Sequence, residues 1–284
     1  MAIFGSVPSV QSQRHQSGGG TDDIDFEIKG AEMQFVEIEL DPGESAVAEA
    51  GSMMFKHADV SMSTVFGDGS QAQASGFLGK LASAGKRLLT GESLFMTLYT
   101  HQGRGKARVA FAAPYPGHIL AMRLSELGGR LICQKDSFLA AAKGVSIGIH
   151  FQQKIMTGLF GGEGFIMQKL EGDGWVFVHA GGTVVERELR AGERIDVDTG
   201  CVMAFHDTVN MDVRAVGGIK SMMFGGEGVF LATLTGPGKV WLQSLPFSRM
   251  AGRMLAAAPQ NGGSRGEGSV LGGLGRMLDG DNGF

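Results

Sequence analysis

Phe160-Gly161-Gly162-Glu163-Gly164 returns unchanged as Phe224-Gly225-Gly226-Glu227-Gly228, 64 residues further on. A glycine-rich pentapeptide can recur by chance, so the useful question is whether one shift also aligns its surroundings. It does: Gly128 falls on Gly192, Val145 on Val209, Ile147 on Met211, and Gly172 and Gly174 on Gly236 and Gly238, all without a gap. Repetition at this length marks supersecondary units that bury their apolar faces against one another. A third copy stands upstream, where Gly43, Val60, Met62 and Thr64 keep the spacing of Gly128, Val145, Ile147 and Ile149, and Gly91-Glu92-Ser93-Leu94-Phe95 answers Gly162 to Ile166. From glycine to glutamate the first copy spans 49 residues and the others 35, which places an insertion of 14 between Phe66 and Gly91.

Inside each copy apolar residues alternate with period two, as in Val60-x-Met62, Val145-x-Ile147-x-Ile149 and Val209-x-Met211-x-Val213. That is the pattern of strands with one buried face. The triplets Gly103-Arg104-Gly105, Gly172-Asp173-Gly174 and Gly236-Pro237-Gly238 each join two apolar runs and read as hairpin turns. Asp136 stands where the other copies have Gly51 and Gly200, so the middle turn is expected to be the one that differs. The reading is therefore an all-β fold of three pseudo-symmetric repeats with a short C-terminal helix at 246–258, where Phe247, Met250 and Met254 recur at helical spacing between Pro246 and Pro259.

The chain divides accordingly into a Gly- and Ser-rich tail (1–23), unit 1 (24–116) with an amphipathic insertion (76–90), unit 2 (117–181), unit 3 (182–245), the helix, and a Gly-rich tail (259–284). Both tails have the composition of segments that do not order themselves. Of the 284 residues 43% are hydrophobic and 19% charged, with a net charge of -4 that gives no general attraction for nucleic acid. The start has no basic stretch followed by an apolar run, and no apolar run is long enough to span a bilayer, so a cytoplasmic protein is expected, with peripheral membrane contact at most. Cys133 and Cys201 sit in apolar runs and read as reduced core residues.

With three glycine-punctuated units, the G-E-S-L-F motif at 91–95, the paired FGGEG motifs and the closing Gly236-Pro237-Gly238-Lys239-Val240-Trp241-Leu242-Gln243-Ser244, the sequence resembles the altered inheritance of mitochondria protein 24 family over about residues 24–257. That resemblance implies a tryptophan RNA-binding attenuation protein-like fold, a short double-stranded β-helix repeated three times per chain and able to form ring-like oligomers. Bacterial members of that family have no established activity and mitochondrial members are linked to inner-membrane organisation, so the resemblance strengthens the fold more than the function. From the residues themselves neither an enzyme nor a cofactor is expected.

The chemistry-bearing residues agree with a non-enzyme. The seven histidines include no HxH, HExxH or pairing with cysteine at ligand spacing, so no metal is expected. His57 with Asp59 and His206 with Asp207 occupy comparable places, and hydrogen-bonded strand-end histidines are the simpler reading. Glu92, Glu163 and Glu227 recur in all three units, which argues for a shared structural duty, because no nucleophile or histidine keeps a fixed relation to them.

The insertion carries the strongest functional signal. On a helix, Phe77, Leu78, Leu81, Leu88 and Leu89 fall on one side with Lys80, Lys86 and Arg87 on its flanks, a small cationic amphipathic segment. Units 2 and 3 place shorter apolar loops at the same point, with Met156, Leu159 and Phe160 in one and Met222, Met223 and Phe224 in the other. The expected function is a homo-oligomeric scaffold, a trimer or ring, whose apolar-basic loops meet an anionic membrane surface or a protein partner. The alternative is a small-ligand or RNA-binding ring, although nucleic acid lacks a repeated basic-aromatic surface.

Overall fold

Alternating apolar residues build strands almost throughout the computed structural model, which describes residues 21–66, 95–153, 164–215 and 230–257. β1 (Asp25–Lys29) leads into β2 (Phe35–Leu40), β3 (Ser45–Glu49), β4 (Met53–Lys56), β5 (Val60–Phe66), β6 (Phe95–His101) and β7 (Ala107–Ala112). Next come β8 (Gly117–Arg123), β9 (Arg130–Gln134), β10 (Phe138–Ala142), β11 (Ser146–Gln153), β12 (Phe165–Glu171) and β13 (Trp175–Gly181). They are followed by β14 (Val184–Leu189), β15 (Arg194–Asp198), β16 (Val202–Phe205), β17 (Asn210–Ala215), β18 (Phe230–Thr235), β19 (Gly238–Gln243) and the helix α1 (Phe247–Ala257).

The same four antiparallel pairings recur in the stretches β2–β7, β8–β13 and β14–β19. First and third strands flank the sixth, and second and fourth flank the fifth. Register follows the sequence shift: Arg130↔Glu171 becomes Arg194↔Thr235, and Ser45↔Thr100 holds that place in the first stretch. A register shift interrupts the third strand at Met53/Phe55, Phe138/Ala140 and Val202/Ala204. A slip of one residue would turn every core side chain outward, so irregularities at matching places keep matching faces buried. The turn after the third strand repeats too, with Val60, Val145 and Val209 donating to the carbonyls of His57, Ala142 and His206 at 3.2, 3.3 and 2.9 Å.

Two seams join the stretches: β3 pairs with β10, and β9 with β16. The result is four sheets, ordered β1-β2-β7-β4, β5-β6-β3-β10-β13-β8, β11-β12-β9-β16-β19-β14 and β15-β18-β17. One core cluster around Val36, Ile38, Phe111 and Phe177 lies between the first and second sheets. A second around Leu131, Phe138, Val178 and Trp241 lies between the second and third, and one around Ile132, Phe205 and Leu234 between the third and fourth. Each large side chain buried this way stabilises by roughly 1.5–3 kcal/mol.

Two expectations are corrected. The glycine triplets are not hairpins: β6 and β7, β12 and β13, and β18 and β19 lie in different sheets, so each triplet is a corner at which the chain changes sheet. The odd middle turn is also elsewhere, since Lys135–Ser137 and Thr199–Cys201 both form 3-10 turns, whereas Gly51 takes φ 90°. Aspartate fits a right-handed 3-10 turn, and only the first copy needs glycine for a left-handed one. Asp22 already accepts from Ser45 N at 2.8 Å, so ordered contacts begin inside the span expected as tail; residues 1–20 and 258–284 lie outside the described residues.

Candidate functional site

All the loop residues expected to make contact, Phe77 to Leu89, Met156 to Phe160 and Met222 to Phe224, lie outside the described residues, as do Glu92, Glu163 and Glu227. The structure gives the strand ends from which these segments leave. They are Phe66 paired with Phe95, Gln153 with Phe165, and Ala215 with Phe230, always the fourth and fifth strands of a stretch.

Two strand edges stand out among the described residues. β10 and β16 are buried along their whole length, and each has a partner on both sides. Their counterpart β4 pairs only with β7, and Met54 and Phe55 are 56% and 37% exposed. β15 likewise pairs only with β18, whereas its counterparts β3 and β9 have two partners each. An apolar strand with a row of unpaired backbone groups is a template for another strand.

A groove of about 800 Å³ opens between the edges of β1 and β8, lined by Phe26, Ile28, Ile119, Ala121, Trp175 and Val184 among others. Phe26 meets Trp175 and Phe177 edge-on with ring centroids at 4.9 Å from each, and the Arg123 guanidinium lies 5.6 Å from the Trp175 centroid. An aromatic floor beside two strand edges suits an extended apolar ligand.

Polar groups gather where the stretches abut. Glu49 ends β3 beside the Asp136 turn; burial first, then the charge of Asp136, pushes its carboxyl up to about 7, against the pull of Lys135. Burial holds the His179 imidazole down at about 4, opposed by the backbone of Tyr115 and reinforced by His118. Gln243, the counterpart of His179 in the third stretch, accepts from Gly181 N and donates to the Gly200 carbonyl, both at 2.8 Å. Burial pushes the Cys133 and Cys201 thiols up, which keeps both protonated and poorly nucleophilic.

The paired histidines part company. His206 Nε2 donates to the Leu127 carbonyl at 2.8 Å, whereas Asp59 faces His101 at 3.8 Å rather than His57. Among the described residues no three His, Cys, Asp or Glu side chains gather as metal ligands. Reading the sequence alone missed the groove and the Glu49 and His179 positions. Their roles depend on which stretch packs on which; the apolar run Met53-Met54-Phe55 is the kind of signal that could have marked the open edge.

The sequence model of the mitochondrial biogenesis AIM24 family matches residues 26–245. An uncharacterised protein of Streptococcus pyogenes serotype M6 is 33% identical over 232 residues, spanning 80% of this chain and 88% of that protein. A Streptococcus pyogenes protein solved by X-ray crystallography is similar in fold at a TM-score of 0.66 and 25% identity, covering 83% of this chain and 100% of that one.

Proposed function

The chain belongs to the mitochondrial biogenesis AIM24 family, and we propose that it acts as a non-enzymatic oligomeric scaffold that presents its apolar-basic loops to a membrane surface or a protein partner. One observation carries this reading: β4 and β15 are the two strands left single-sided while both of their counterparts are paired on each side. Self-association would bury the exposed Met54 and Phe55, and symmetric closure would leave neither β4 nor β15 as an open edge. The loops then multiply, because each added copy brings three more segments rooted at equivalent strand ends. No helix among the described residues is long and apolar enough to cross a membrane, so contact with lipid is read as peripheral.

Sedimentation velocity tests the reading. A species larger than the 29.9 kDa chain at micromolar concentration is expected, and a monomer throughout that range overturns it. The groove beside Trp175 supports a second reading, a small-ligand binding ring, for which mass spectrometry of the natively purified protein should reveal a bound apolar molecule.

A further inference from the structure

The two seams inside the chain obey one rule. β10 lies antiparallel to β3 with Ala140↔Ala48 and Ala141↔Val47, and β16 lies antiparallel to β9 with Ala204↔Cys133 and Phe205↔Ile132. In both, the third strand of one stretch meets the second strand of the stretch before, and all eight of these residues are buried. The unused third strand is β4 and the unused second strand is β15.

The shared register fixes what a third seam would look like. Phe55 follows the register shift of β4 as Ala140 and Ala204 follow theirs, and Val197 sits on β15 where Ala48 and Cys133 sit on β3 and β9. The seam would therefore set Phe55 against Val197 and Lys56 against Asp196. Val197 already belongs to the third core cluster, so Phe55 would close that core's open side. The next position carries the stronger argument. Where the internal seams hold the apolar pairs Ala141/Val47 and Phe205/Ile132, this one would hold a lysine opposite an aspartate. Asp196 already accepts from the Arg214 guanidinium and the Thr233 hydroxyl of its own chain, so a facing Lys56 would add a second opposite charge across the strands, whereas Lys56 alone in a buried seam would be unfavourable. The two positions that are apolar in both internal seams are oppositely charged here.

We propose that β4 of one copy pairs antiparallel with β15 of a second copy, in the register Phe55↔Val197 and Lys56↔Asp196, so that chains join head to tail. This rests on the oligomeric reading above and names the surfaces that make it. Within one chain the two strands are not paired. The contact joins unlike surfaces, so it closes into a ring or runs on as a filament.

Disulfide trapping tests it. In a Cys201→Ser background, Phe55→Cys and Val197→Cys chains are prepared separately, mixed and mildly oxidised. Facing Cα atoms about 4.5–5.5 Å apart lie within disulfide reach. A covalent dimer is expected from the mixture and not from either chain alone, nor from Phe55→Cys mixed with Arg194→Cys, which is out of register. An oligomer in sedimentation with no mixed disulfide overturns this seam and leaves the oligomeric reading standing. A monomer at every concentration removes both. A single chain carrying both cysteines that bridges internally as a monomer shows that the edges close on each other, which also overturns the proposal. As an independent arm, Lys56→Glu and Asp196→Lys should each weaken association at least tenfold, and a mixture of the two should restore it.

Discussion

The rings of Tyr115 and His179 meet edge to face with centroids 4.5 Å apart, in a spot where His179 is 1% exposed. Burial there keeps the imidazole neutral down to about 4, against an ordinary value of 6.5. A group whose folded value is depressed leaves the unfolded chain holding more protons as pH falls. Stability should therefore be lost progressively between about 6.5 and 4, by up to about 1.4 kcal/mol per pH unit from this group. His179→Gln, which installs the residue found at the matching position 243, should flatten that slope in urea unfolding measured across the window. An unchanged slope would mean that His179 does not carry it.

Glu49 should act in the opposite direction over the same interval. Its folded value is raised from 4.5 to about 7, so the folded chain holds the extra proton, and stability falls as pH rises through that range. Glu49→Gln removes the penalty. At pH 8 it should stabilise by about 1 kcal/mol, a modest fraction of the full shift because the side chain is only partly buried. Below pH 4.5 the gain should vanish. Since the two groups offset each other in the wild type, thermal unfolding of the single variants is needed to separate them.

Much of the fold was legible in the sequence because register is a local property. Period-two runs such as Val145-x-Ile147-x-Ile149 specify strands, and the ungapped shift of 64 residues reappears as the change from Arg130↔Glu171 to Arg194↔Thr235. What a glycine corner does was less legible. Gly172 to Gly174 looks the same whether the next strand folds back on the last or crosses to another sheet, and the difference lies in distant packing partners such as Phe26, which meets Trp175 edge-on. The candidate site was less legible still. Nothing in Glu49 or His179 as letters announces burial, because their surroundings come from residues far away in the chain such as Asp136 and Tyr115.

Gly181 should tolerate no side chain. A Cβ there would lie 2.0 Å from the Leu245 carbonyl oxygen and 2.6 Å from Tyr115 Cε2, in the junction where Leu245 N donates to the Gly181 carbonyl at 3.0 Å. Backbone cannot step aside as a flexible side chain can. Gly181→Ala is expected to cost about 1–3 kcal/mol, seen as a lowered melting temperature. Gly148→Ala, where a Cβ meets nothing within 4 Å, is the control and should leave melting nearly unchanged.

The last prediction concerns the loops. The segment between Phe66 and Phe95 holds Leu81, Leu88 and Leu89 with Lys80, Lys86 and Arg87, and it joins a strand pair that matches the pairs flanking the other two loops. A single segment of this size binds lipid weakly, because apolar burial contributes only about 25 cal/mol per Å² against the costs of ordering and association. Presented together on an assembled scaffold, such segments engage one surface at once, and avidity rises by orders of magnitude without any better contact. The three cations should favour anionic lipid despite the net charge of -4, since screening over about 8–10 Å lets local charge outweigh the total. Flotation with anionic vesicles is therefore expected for the wild type, with the bound fraction falling as salt rises. Leu81, Leu88 and Leu89 replaced together by serine should abolish flotation while sedimentation still finds the oligomer. Should the oligomer itself dissociate in that variant, the leucines are holding subunits together, and the membrane reading of these loops fails.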